Sequence, residues 1–274
     1  MIRLIQIELH KLLRNNVSKI LIFASFILPF TFLILSSIKI NFLGYFTLEL
    51  GELGIFNFPI IWHVSTYFAA FFKFFFAIVI VSMIGNEYSN KTIKQNLIDG
   101  LSKKEFLLSK FYTIIFFSLV ATVLLGIGSL VIGSIYSSYG GFTVMVREME
   151  FLIAYFVKLI GFFSPCLFFG ILVKKSAFAL GFLLLLQILE GIGYGMMRWK
   201  LPRETADFLH NLFPLHAMYK LIDDPIRRLA KMKVTDNEFL NYDYGVHAYE
   251  IAIVIGWTLI FVYFSYRLLK RRDL

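Results

Sequence analysis

The sequence predicts an all-α integral membrane protein with six transmembrane helices, and three observations carry this prediction. Of 274 residues, 58% are hydrophobic and only 16% are charged, which is too apolar for a water-soluble domain of this length. Six charge-poor runs are long enough to cross a hydrocarbon core of about 30 Å. The runs are continuously apolar and lack the alternation of membrane β-strands, so they favour helices.

The predicted spans follow one another along the whole chain, which we interpret as a single transmembrane domain over residues 1–274. The first span begins after a charged segment and is followed by further spans, so it is not interpreted as a removable signal peptide. The six spans are predicted at residues 20–38, 60–84, 111–136, 151–173, 177–197 and 249–266.

Basic residues are concentrated on one side of this topology. They precede the first span, follow the second, separate the fourth from the fifth and end the chain, whereas the first two loops on the opposite side contain only Lys39 and Arg147. The positive-inside rule therefore predicts that both termini are cytoplasmic. The loop at 198–246 is also basic, yet six spans place it outside. The net charge of +9 is thus attributed to the lipid surface and not to nucleic acid.

The N-terminal segment, residues 1–16, has the pattern of an amphipathic helix. Ile2, Ile5, Leu9 and Leu12 are spaced by three, four and three residues, and basic residues lie between them. Such a helix ahead of a span is expected to lie in the cytoplasmic interface of the membrane. A frayed basic terminus is the alternative.

The loop between the second and third spans, residues 86–110, contains signals for a short helix and a sharp turn. Ile93, Leu97 and Ile98 form one apolar face, and Gly100 suits the left-handed residue that ends a helix. Ser102 and Glu105 then form a capping box that opens the next helix. The sequence therefore predicts a short cytoplasmic helix followed directly by the third span.

The loop before the sixth span, residues 198–246, is predicted to be structured. It combines Pro202, Pro214 and Pro225 with short amphipathic patches. Its apolar side chains suit either a cover over the outer mouth of a cavity or a segment that dips into the interface.

Three ionisable residues lie within the predicted spans, namely Lys73, Lys158 and Glu190. Each costs at least about 2.5 kcal/mol when it faces lipid at mid-membrane, so they are expected to face protein or water. One hypothesis is that Glu190 pairs with Lys73 or Lys158, or lines a pathway. The alternative is that Lys158 and Glu190 lie near helix ends and reach the headgroups. Lys73 lies near the middle of its run, where that alternative is weaker.

The 86–110 loop resembles the type-2 permease family of ABC transporters, the membrane subunits of many bacterial exporters. In that family the stretch commonly contains an acidic residue, a Gly-Thr or similar pair, a leucine, Ser-Arg and a later lysine. Lys91 stands where glycine is usual, and Lys103 where arginine is usual. The resemblance extends to the order of spans and loops along the chain. The matching residues are Glu87, Thr92, Leu97, Gly100, Ser102, Lys103, Lys104, Phe106 and Lys110.

The resemblance implies that these residues, with Glu105, form a coupling segment that docks on a separate ATPase subunit. No Gly-x-x-x-x-Gly-Lys-Ser/Thr loop occurs in the sequence, so this chain is expected to be non-catalytic and to bind no cofactor or metal. The resemblance implies that ATP and Mg bind to the ATPase partner, which is expected in two copies. The resemblance further implies a second permease subunit, identical or different. The expected activity is outward movement of an amphipathic or lipid-like substrate, such as an antimicrobial peptide.

Two other classes of protein compete with this interpretation. An ion-coupled secondary transporter would use Lys73 and Glu190 as ion or proton sites, although no inverted repeat is visible. An intramembrane enzyme would need clustered His, Glu or Asp on facing helices, and only Glu190 is available away from the ends of the spans.

Overall fold

The computed structural model describes most of the chain. Lys39, on which part of the orientation argument depends, and residues 229–243 of the predicted outer loop lie outside the described residues. Those described are 2–37, 40–42, 46–48, 54–98, 100–137, 141–226, 228 and 244–272.

Helices account for nearly all of the described structure. A short antiparallel hairpin, β1 (Ile40–Phe42) and β2 (Phe46–Leu48), was not predicted from the sequence. The helices are α1 (Ile2–Arg14), α2 (Asn16–Ser37), α3 (Ile60–Ala69), α4 (Lys73–Ser89), α5 (Thr92–Ile98), α6 (Lys103–Tyr136), α7 (Phe142–Val146), α8 (Glu150–Val173), α9 (Ser176–Lys200), α10 (Arg203–Asn211), α11 (Pro214–Lys220) and α12 (Ala248–Arg271).

The six predicted spans are confirmed. The described helices include six stretches long and apolar enough to cross a membrane, and each coincides with one predicted run. The second differs in detail, because a 3₁₀ turn at Ala70–Phe72 separates α3 from α4. The six stretches are Asn16–Ser36, Ile60–Ser89, Lys103–Tyr136, Phe142–Val173, Ser176–Lys200 and Ala248–Arg271.

Helix α8 forms the centre of the bundle. In its most apolar stretch 67% of the residues are buried, against 17% in α9, and it contacts α4, α6, α9 and α12. Glycines permit this close approach: a Cβ at Gly161 would lie 2.6 Å from Val254 Cγ1, and one at Gly170 would lie 2.9 Å from Ile84 Cδ1. The neighbours of α8 are therefore fixed by small residues on its surface.

Both ends of the chain meet at one end of the bundle, which we call the terminal face. Here α1 packs against α6, and the Lys103 ammonium donates to the Arg272 carbonyl oxygen at 2.7 Å. The Arg272 guanidinium in turn donates to the carbonyls of Ile171 and Leu172 in the last turn of α8. The opposite end, which carries α10 and α11, we call the loop face. Which face is cytoplasmic stays a prediction.

The predicted helix punctuation on the terminal face is confirmed. Helix α5 occupies the predicted position, and Gly100 has a φ of +94°, in the left-handed region. The Ser102 backbone N–H donates to Glu105 Oε2 at 2.9 Å, and the Glu105 backbone N–H donates to Ser102 Oγ at 3.2 Å. This reciprocal capping box fixes the angle at which α6 leaves the turn.

We expect Gly161→Ala to lower the apparent midpoint of thermal unfolding in detergent. The added methyl group would overlap Val254 and Met218, and such overpacking costs roughly 1–3 kcal/mol. Gly256→Ala in α12 is the matched control, because an added Cβ there meets nothing within 4 Å. An equal or higher midpoint for Gly161→Ala than for Gly256→Ala would contradict the packing described.

Candidate functional site

The strongest polar feature of the terminal face is a buried cluster of charges contributed by three helices. Glu8 comes from α1, Glu87 from α4 and Lys110 from α6. The Lys110 ammonium lies 2.5 Å from Glu8 Oε2 and 2.6 Å from Glu87 Oε1, and the side chain of Lys110 is 0% exposed. We call Glu8, Lys11, Glu87 and Lys110 the charge cluster.

Lys11 balances the charge of this cluster. Its ammonium lies 3.0 Å from Glu87 Oε1 and 3.8 Å from Glu8 Oε1, so two carboxylates face two ammonium groups. The other Glu87 oxygen, Oε2, is buried and accepts no hydrogen bond from the described part of the chain. Glu87 also lines a cavity of about 250 Å³ with Asn86 and Asn90, which is large and polar enough for ordered water.

The energetics of buried ions explain why this cluster fixes the positions of helices. Removing one partner of a buried pair leaves an uncompensated charge and costs roughly 3–5 kcal/mol, whereas replacing all partners by well-packed apolar residues of similar volume often leaves stability unchanged. The three helices therefore cannot separate without exposing or stranding a charge. Helices α1, α4 and α6 are expected to move as one unit near this point.

Helix α1 confirms the predicted amphipathic pattern but carries an acid within it. Leu12 is buried and Ile5 and Leu9 are half-buried, as expected, while the side chain of Ile2 lies outside the described part. Glu8, between them, is also buried, and sequence reasoning missed it. Glu8 lies three residues after Ile5 and four before Leu12, so its spacing places it on the apolar face of α1 and could have predicted its burial.

The predicted coupling residues separate into three groups by exposure. The buried ones position the segment, and the exposed ones are free to contact another molecule. Glu87, Phe106 and Lys110 are buried; Thr92, Leu97 and Lys103 are half-buried; Gly100, Ser102, Lys104 and Glu105 are exposed.

The turn that precedes α5 explains one departure from the family pattern. Lys91, which stands where glycine is usual, has a φ of +54°, in the left-handed region that glycine adopts without strain. The next residue, Thr92, donates from Oγ1 to the Glu87 carbonyl at 3.4 Å. A left-handed conformation at position 91 is one that glycine, the residue usual there in the family that the loop resembles, adopts without strain.

Ile98 corrects the predicted apolar face of the short helix. Ile93 is buried and Leu97 half-buried, as that face requires, but Ile98 is 84% exposed at the end of α5. Its neighbours Lys94 and Gln95 are exposed as well. An isolated apolar side chain on the rim of the terminal face is therefore added to the candidate contact residues.

On the loop face, Glu190 and Lys158 hold the two ends of α11. Both Glu190 carboxylate oxygens accept backbone N–H groups, from Leu215 and His216, each at 2.9 Å. The buried Lys158 ammonium donates to the Tyr219 carbonyl, also at 2.9 Å. A negative group at the N-terminus and a positive group at the C-terminus suit the helix dipole.

This arrangement corrects the expected pairing of Glu190 with a membrane lysine. In the described structure Glu190 forms no ion pair with Lys73 or Lys158, because its oxygens are used by α11. Lys73 instead lies over aromatic rings, with its ammonium 4.4 Å from the centroid of Phe162. The loop before the sixth span was predicted to be structured. In its described part, α11 is held by Glu190 and Lys158, the two charged residues that stood out within otherwise apolar spans.

The two loop-face histidines are stacked and form no metal site with the described residues. The rings of His210 and His216 have centroids 3.5 Å apart, and no group of three His, Cys, Asp or Glu residues suitable for a metal occurs in the described ranges. Burial, reinforced by the positive fields of His210 and Lys220, lowers the pKa of His216 to about 4. His216 is therefore a neutral packing residue at pH 7.

We expect Glu190→Leu to release α11. Leucine has a similar volume to glutamate but cannot accept a hydrogen bond, so the Leu215 and His216 N–H groups lose their acceptor. Each unpaired buried group lowers the free energy of unfolding by roughly 1–3 kcal/mol. Thermal unfolding in detergent should show a lower midpoint for Glu190→Leu than for the control Gln187→Leu, an exposed position on the same helix. Equal midpoints would show that Glu190 does not anchor α11.

We expect Lys110→Met to be among the most destabilising single changes, by roughly 3–5 kcal/mol, because two buried carboxylates lose their shared cation. Adding Glu8→Gln and Glu87→Gln should recover most of the lost stability. Lys104→Met, an exposed lysine on the same helix, is the control. A triple variant no more stable than Lys110→Met alone would argue against charge as the cause.

Comparison with known proteins agrees with these features. The model of the family described as "ABC-2 family transporter protein" matches residues 6–274, which is nearly the whole chain. No curated protein matches the sequence significantly. A bundle of six candidate spans fits that family. The chain therefore belongs to the ABC-2 transporter family, as a multi-pass, non-catalytic permease subunit.

Proposed function

We propose that this permease couples ATP hydrolysis by a separate ATPase subunit to transport, and that residues 86–110 form the docking segment. The single observation that carries this proposal is the construction of α5. Ile93 is buried on one side of this helix, while Ile98 projects from its end, 84% exposed. A short helix that is followed by a glycine turn and presents one exposed apolar side chain is suited to fill a pocket on a partner protein.

The contacts around this segment provide a route for movement into the bundle. The start of α6 is joined to α1 and α4 by the charge cluster, and to α12 by the Lys103 ammonium. A displacement of α5 by the ATPase would therefore act on several spans together. Small shifts at such a rigid element are amplified because packed helices move as bodies.

A groove beside the docking segment extends the proposed contact surface. It has a volume of about 520 Å³ and lies between α1 and the turn after α5. Arg3, Leu4 and Ile7 line one side, and Asn96 and Leu101 line the other. Glu8, Lys11 and Glu105 also line the groove, so it offers charges of both signs beside apolar groups to a partner surface.

The membrane orientation follows from this proposal. ATP is a cytoplasmic nucleotide, so the terminal face, with both ends of the chain, is cytoplasmic, in agreement with its many basic residues. We assign the protein to a bacterial cytoplasmic membrane. The complex would contain two ATPase subunits, which bind ATP and Mg, and a second permease subunit, identical or different.

The proposed direction is outward and the proposed substrate is amphipathic or lipid-like, as in the exporters that the chain resembles. Antimicrobial peptides are one such class. The alternative of an ion-coupled secondary transporter is less well supported, because Glu190 uses both carboxylate oxygens to hold α11 and forms no pair with Lys73.

We expect Ile98→Ser to reduce the amount of ATPase that co-purifies with the tagged permease by about tenfold. Loss of a buried apolar anchor at an interface costs more than about 1 kcal/mol, and about 1.4 kcal/mol is a factor of ten in affinity. The permease would be co-expressed with the candidate ATPase subunits of its own genome, and retained ATP hydrolysis would be measured.

Phe142→Ser is the matched control, because Phe142 is 81% exposed but lies beyond the opposite end of α6. It should retain the wild-type amount of ATPase. Equal retention by Ile98→Ser and wild type would remove α5 from the docking surface. A wild-type permease that retains no ATPase would contradict the proposed function itself.

A further inference from the structure

Lys73 lies too deep in the membrane to reach either surface. The second span covers Ile60–Ser89, and Lys73 is near its midpoint. At about 1.5 Å per residue, it is roughly 20 Å from the loop-face end of this span and slightly farther from the other end. A four-carbon side chain does not bridge such a distance to the headgroups of a bilayer whose hydrocarbon core is about 30 Å thick.

The surroundings of Lys73 do not neutralise its charge. Its ammonium lies 4.4 Å from the centroid of Phe162 and 5.9 Å from that of Phe74, and it forms no hydrogen bond or ion pair with a described residue. The side chain is half-buried, so part of it is accessible from outside the chain. Lys158 supplies no counter-charge, because its ammonium group donates to the Tyr219 carbonyl oxygen.

Among the described residues, no carboxylate is available at this depth. Glu190 is the one acidic residue in the middle part of any span, and α11 uses both of its oxygens. The other acids of the spans lie toward their ends: Glu87 in the charge cluster, Glu105 in the capping box, Glu148 with Arg228, Glu150 with the Val246 N–H, and Glu250 with Lys220. An identical second copy would therefore bring no mid-depth counter-ion to Lys73.

We propose that Lys73 binds the anionic headgroup of the transported amphiphile as that headgroup crosses the middle of the membrane. This inference rests on the proposed transport function and narrows its substrate class. Phe74, which is 50% exposed beside the ammonium, would contact the apolar part of the substrate, and the buried Phe162 ring holds the ammonium in place. The positive charge of Lys73 disfavours a cationic peptide.

The test measures equilibrium binding to the purified full-length permease in neutral detergent, without the ATPase. The probes are a fluorescent phosphatidylglycerol, which is anionic, and the matching phosphatidylcholine, which has no net charge. The variants are Lys73→Met, Lys73→Gln and Lys73→Arg. The control is Lys200→Met, which removes an exposed lysine at the end of α9. Two neutral variants are included so that a folding defect in one leaves the other to decide.

We expect the wild type, Lys73→Arg and Lys200→Met to bind phosphatidylglycerol at least about tenfold more tightly than phosphatidylcholine, and the neutral variants to lose this preference. A charge-assisted contact of roughly 1.5–3 kcal/mol corresponds to such a factor. Excess inorganic phosphate should not displace the lipid, because the site also needs the apolar part.

The inference would be overturned if the wild-type protein bound phosphatidylglycerol and phosphatidylcholine equally. It would also be overturned if Lys73→Met and Lys73→Gln still preferred phosphatidylglycerol. Displacement by inorganic phosphate would also overturn it, since the ligand would then be a free anion. Because this assay contains no ATPase, its outcome is independent of the co-purification result that tests the docking segment.

Discussion

The burial of Lys110 is the constraint on which the terminal face depends. An ammonium group with no solvent exposure is stable only beside its counter-ions, and Glu8 and Glu87 bring those from two other helices. The same rule operates on the loop face, where Glu190 and Lys158 complement the two ends of α11. At both faces a costly buried charge determines which elements lie together. Lys73 is the exception, because no described residue supplies it with a counter-ion.

Much of the fold was predictable, because lipid leaves few options for a backbone. Continuous apolar runs must satisfy their peptide groups internally, so hydropathy identified all six spans. The span boundaries predicted from hydropathy were less accurate. Helix α6 begins at Lys103, eight positions before the predicted span, because a segment with charged residues extends the helix beyond the apolar run. The hairpin β1–β2 and the 3₁₀ turn at Ala70–Phe72 carry no hydropathy signal of their own.

The candidate site was predictable only in part. Spacing and turn chemistry located α5, Gly100 and the Ser102–Glu105 cap, because these depend on local backbone physics. Burial depends on tertiary packing, so the pattern did not reveal that Glu87 and Lys110 are enclosed while Ile98 projects outward. The partner of Glu190 is 25 residues away in sequence, at the start of α11, and no local pattern predicts such a contact.

The most direct test of the docking segment introduces a cysteine at position 98, and the single native cysteine does not compete with it. Cys166 is 1% exposed, so an added thiol at position 98 would be the accessible one for a photoreactive maleimide. After illumination of the complex, we expect Ile98→Cys to give a covalent product between permease and ATPase, and Phe142→Cys to give none. A product from position 142 and none from position 98 would contradict the claim that α5 meets the ATPase.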